Sequence, residues 1–156
     1  MREEGNNVVV TANYKLGCFD QAVWTIAPDG TAAIDFTYNF SGVVDLMGVM
    51  FDYPEDKVLS KRWVGDGPYR VWQNRLHGPQ LGVWENEYND PIPAESFTYP
   101  EFKGYFANVQ WMTLKTQEGT ISICNRTPQN YVGVYQPRDG RDGLLYTFPA
   151  TGISLM

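Results

Sequence analysis

The sequence predicts an all-β, antiparallel sandwich, and three observations carry that prediction. Ile34, Phe36, Tyr38 and Phe40 alternate with Asp35, Thr37 and Asn39, the period-2 pattern of a half-buried strand. Short β-branched and aromatic runs recur along the chain, separated by Gly, Pro, Asn and Asp at turn positions. An amphipathic helix of about ten residues or more is nowhere visible. Strands and turns at short, regular spacing argue for two antiparallel sheets with branched and aromatic side chains between them.

In chain order, Val8 to Tyr14 is β-branched and short, and reads as a strand. Gln21 to Ala27 is a second strand. Pro28-Asp29-Gly30-Thr31 turns the chain, since Pro presets φ and Gly accepts the left-handed position. The alternating run from Ile34 to Phe40 then completes an antiparallel hairpin. Val43 to Tyr53 is apolar with Gly48 inside it and reads as a more buried strand, turned by Pro54 to Lys57. A strand from Val58 to Val64 runs into Gly65-Asp66-Gly67-Pro68. That stretch reads as a break, because glycine permits positive φ while proline fixes its own φ and restricts its predecessor.

After the break, Leu81 to Tyr88 is a short strand and Asn89 to Glu95, with two prolines, a loop. Tyr105 to Leu114 is a further strand, which Glu118-Gly119 turns into Thr120 to Cys124 as a second hairpin. Tyr131 to Tyr135 and Leu144 to Phe148 are the last strands, separated by a polar turn region from Gln136 to Gly143. With no internal repeat and no linker-like segment, residues 1–156 read as one domain.

Composition narrows the function. The net charge of −6 argues against a nucleic-acid partner, since phosphate binding needs clustered Lys and Arg, and the 12 basic residues are scattered. No run of about 18 apolar residues is present to span a membrane. The start, Met1 to Asn7, lacks the apolar region of a signal peptide. Cys18 and Cys124 have no metal-ligand spacing, and their apolar or β-prone neighbours suggest two buried free thiols. No cofactor and no metal site is expected. Two Asn-x-Ser/Thr sequons, at Asn39 and Asn125, carry no argument alone.

The stretch Lys61 to Arg75 concentrates the chemistry. A rigid turn is followed by Tyr69, Arg70, Trp72, Asn74 and Arg75, and then by His77, the only histidine. Aromatic rings beside Arg, Asn and Asp suit sugars, the ring covering the apolar face and the polar groups taking the hydroxyls. Tyr69, Arg70, Trp72, Arg75 and Trp84 are therefore the candidate carbohydrate-binding residues. The plainer reading places Trp63 and Trp72 in core or rim packing and leaves the arginines solvated.

Trp63-Val64-Gly65-Asp66-Gly67-Pro68, Trp72, Asn74-Arg75 and Leu81-Gly82-Val83-Trp84 resemble the C-terminal β-sandwich of family 2 glycoside hydrolases, the β-galactosidase small-chain type. Asp29-Gly30, Leu46-Met47-Gly48-Val49, and Pro100 with Gly104 and Val109-Gln110-Trp111 match in the right order, so the resemblance spans roughly residues 29 to 121. It implies a galactose-mutarotase-like supersandwich, an excised C-terminal part of a longer polypeptide. The implied role is a non-catalytic accessory domain that packs on the parent's catalytic barrel and shapes its cleft for a plant or host polysaccharide. A periplasmic or secreted parent is also implied. The chain departs from the pattern in two places. Arg70-Val71-Trp72 and Asn74-Arg75 stand where the family has Glu-Asn-Tyr and Asp-Arg. Ile121 follows Glu118-Gly119-Thr120, where some members place a tryptophan that reaches the sugar.

A retaining glycosidase needs two carboxyl groups flanking the scissile bond. In the resembled family these belong to the barrel, whose pattern is absent from this sequence. Glu85-Asn86-Glu87-Tyr88-Asn89-Asp90 reads as a solvated strand end, with a calcium site built from its oxygens as the alternative. A mutarotase-like activity would need an acid and a base about the anomeric centre, and only His77 with Glu85 or Glu87 offers them. The accessory-domain reading further expects an exposed apolar patch where the barrel docks, including Trp63 or Trp84.

Overall fold

The computed structural model describes residues 1–15, 17–43, 47–54, 57–71, 76–87, 105–127, 130–133 and 153–155. Every regular element among them is a β-strand, and all pairings are antiparallel. No helix among the described residues is long and apolar enough to cross a membrane. The chain divides into two compact units, Met1–Asp45 and Leu46–Met156.

The first unit is one four-stranded sheet in the order β1 (Arg2–Glu4), β2 (Asn7–Asn13), β3 (Phe19–Ile26) and β4 (Ala32–Tyr38). The expected strands and the β3–β4 hairpin are present. Asp29 builds the connecting turn: its carboxylate accepts the Thr31 N–H at 2.8 Å, while Gly30 takes φ 88°. The β1 strand was not expected. Its signal is the two-residue loop Gly5-Asn6, with Gly5 at φ 63°, between Glu4 and its register partner Asn7. At one end of the sheet Phe19 packs edge-on against Tyr14 and Tyr38, at centroid distances of 4.7 and 5.2 Å.

The second unit holds two sheets. One has the order β10 (Val132–Gly133), β11 (Ile153–Leu155), β5 (Val49–Phe51). The other has the order β7 (Gln80–Glu87), β6 (Val58–Gly67), β8 (Trp111–Thr116), β9 (Gly119–Cys124). Trp63, Met112 and Leu114 from the second sheet meet Val132 and Ile153 from the first, with Phe106 and Val109 in the same cluster. Those contacts make the sandwich core. The short segment Tyr105-Phe106 bridges Val71 on one side and Val132 on the other, so it passes from one sheet to the next.

Several expectations are corrected. The break at Gly65 is absent: β6 runs unbroken from Val58 to Gly67. Val43 to Tyr53 is not a long buried strand. Only Val49–Phe51 pairs, Val43 is 97 % exposed, and residues 44–46 lie outside the described set. The strand expected from Tyr105 to Leu114 is interrupted at residues 107–110, where Asn108 adopts φ 52° and pairing with β6 becomes irregular. The thiols are both free, but Cys18 is only half-buried and Cys124 is exposed. Ile121 and Ile123 take the inward positions of β9, so alternation turns Cys124 outward. The loop from Asn89 to Glu95 and the strand from Leu144 to Phe148 lie outside the described residues.

Candidate functional site

The motif strand β6 alternates strictly. Lys61, Trp63, Gly65 and Gly67 face inward and are buried, while Arg62, Val64 and Asp66 face out. On β7 the inward partners are Trp84 opposite Trp63, Gly82 opposite Gly65 and Gln80 opposite Gly67. Two tryptophans and three glycines therefore share one patch of sheet.

Trp63 is completely buried, its ring centroid 4.6 Å from that of Phe106, and its indole N–H donates to the Asp66 carbonyl at 3.0 Å. Trp84 is half-buried and lies over the glycines. Its indole N–H is shared between the carbonyls of Gly65 and Gln80, each at 3.2 Å. A Cβ on Gly67 would stand 2.5 Å from Trp84 Cδ1, and one on Gly82 3.1 Å from the same indole. A Cβ on Gly65 would meet Val109 Cα at 2.9 Å and the Ala107 carbonyl oxygen at 3.0 Å. Neither Gly65 nor Gly67 has positive φ. These glycines are needed for close approach, not for an unusual backbone conformation. That is why the strand continues where a break was expected.

Beyond Gly67 the peptide bond to Pro68 is cis. Tyr69 and Arg70 follow, both half-buried, before Val71 pairs with Tyr105 through hydrogen bonds of 2.7 and 2.8 Å. Of the five candidate sugar residues, the structure places Tyr69 and Arg70 at the end of β6 and Trp84 in the glycine slot. Trp72 and Arg75 lie outside the described residues. The expectation that Trp63 forms part of an exposed patch is corrected, since burial is complete.

Lys61 was not singled out by the sequence, although it stands two residues before Trp63 on the same face. It is 4 % exposed, and its ammonium donates to the Glu87 carbonyl at 2.7 Å. The same ammonium lies 5.4 Å from the Phe106 ring and 5.9 Å from the Trp63 ring. A buried cation is tolerated only where it is hydrogen-bonded and electrostatically stabilised, as here.

His77, Glu85 and Glu87 are all exposed, and no hydrogen bond joins the imidazole to either carboxylate. Glu85 instead forms a 3.9 Å ion pair with Arg62. Among the described residues no three His, Cys, Asp or Glu side chains gather to hold a metal ion, and Tyr88, Asn89 and Asp90 lie outside that set.

At the opposite end of the sheet, Glu118 accepts hydrogen bonds from the Lys57 ammonium and, at 3.1 Å, from the Tyr53 hydroxyl. The Lys57 bond, with that of Tyr53 second, holds the Glu118 carboxyl below the usual carboxylate range. This cluster ties the β8–β9 turn to the start of β6. Ile121, where the resembled pattern has a tryptophan in some members, packs against the core.

The fold and the slot together define a β-sandwich module whose signature tryptophans and glycines are engaged in holding its own strands together. The chain belongs to the β-galactosidase small chain family, whose model matches residues 2–148. No match was found among curated proteins or among solved structures.

Proposed function

We propose that this chain is the non-catalytic accessory domain of a family 2 glycoside hydrolase of β-galactosidase type. In this reading it packs on the catalytic barrel of the same parent polypeptide and shapes the rim of a carbohydrate cleft. The observation that carries the reading is the family match over residues 2–148, supported by the glycine–tryptophan slot that accounts for the motif in physical terms. Tyr69 and Arg70, half-buried where β6 ends, and Trp84 are the described side chains assigned to sugar contact, together with Trp72 and Arg75.

The test is a hydrolysis assay on the barrel-bearing polypeptide encoded with this chain, measured with and without residues 1–156. A fall in kcat/KM towards an aryl β-galactoside on deletion, partly reproduced by Tyr69→Ala and Arg70→Ala, is the expected result. Unchanged kinetics without this chain would remove its role in the cleft. Absence of any barrel from the flanking coding sequence would remove the accessory reading itself.

A further inference from the structure

We draw no further inference here: the strongest candidate, the inward side-chain cluster where Lys61 of β6 stands in register with Asn86 of β7, carries nothing, because the Lys61 ammonium is already held by the Glu87 carbonyl and the Trp63 and Phe106 rings and nothing in the structure shows a ligand for the buried Asn86 Oδ1.

Discussion

Gly67→Ala is a sharp probe of why this strand is built as it is. In an ordinary strand, replacing Gly by Ala stabilises by about 0.5–1 kcal/mol, because glycine loses more backbone freedom on folding. Here the added Cβ would lie 2.5 Å from Trp84 Cδ1 and 2.7 Å from Cγ and Nε1, atoms near the base of a bulky side chain that cannot swing clear. Overpacking of this kind costs about 1–3 kcal/mol. Displacing the ring also weakens its N–H bonds to Gly65 and Gln80, for about 1 kcal/mol more. The variant should therefore lose about 2–4 kcal/mol in urea unfolding followed by circular dichroism. In a Trp84→Ala background the obstacle is gone, and the same substitution should be neutral or stabilising by about 0.5–1 kcal/mol. Gly65→Ala is the control, because its obstacles are the backbone atoms Val109 Cα and Ala107 O, which trimming Trp84 does not move. Its penalty should survive in both backgrounds. If Gly67→Ala and Trp84→Ala proved additive, the slot would not be the reason for the glycine.

Three further outcomes follow from the same geometry. Lys57→Met should raise the Glu118 pKa towards the ordinary 4.5, read from its side-chain carbonyl shift by NMR. Because the folded pKa is depressed, the stabilisation is present above the unfolded value and disappears as pH falls through the folded one, so the variant should show a weaker acid dependence of stability. Burial raises the Tyr105 hydroxyl well above its usual 10. Stability should accordingly fall above pH ~10 by about 1.4 kcal/mol per unit for that group, and Tyr105→Phe should remove its share of the alkaline slope. Asn108→Gly keeps the φ 52° backbone but loses the 2.6 Å bond to Asp66, whereas Asn108→Ala loses both. The alanine variant should melt lower, by about 1 kcal/mol in left-handed strain.

The elements legible in the sequence are those whose cause is local. The β3–β4 hairpin follows from alternation and from an Asp-Gly turn whose hydrogen bond spans two residues. The end of β6 is not legible from composition, because glycine ordinarily signals its own φ and here does not. Its actual cause is Trp84 on the next strand and the 107–109 backbone, partners that composition does not name. Residues 107–110 were read as regular strand for the converse reason, since nothing in Ala107-Asn108 requires the left-handed residue that lets the chain pass between sheets. Extending the Trp63 periodicity back by two residues puts Lys61 on the buried face, but a lysine is not ordinarily placed there. Of the sugar-site candidates, Tyr69 and Arg70 lie beside the motif by proximity in sequence, while Trp84 comes to it through strand pairing.

That distinction bears on what family membership conveys. Trp63, Gly65, Gly67, Gly82 and Trp84 carry the most specific part of the resemblance, and each has a packing reason in the slot. Those positions report that two strands approach closely beneath an indole. Specificity must then reside where packing leaves the side chain free to vary. At the end of β6 the chain departs from the resembled pattern at Arg70. Trp63 and the three glycines therefore report on the fold, while tests of sugar contact belong at Tyr69, Arg70 and Trp84.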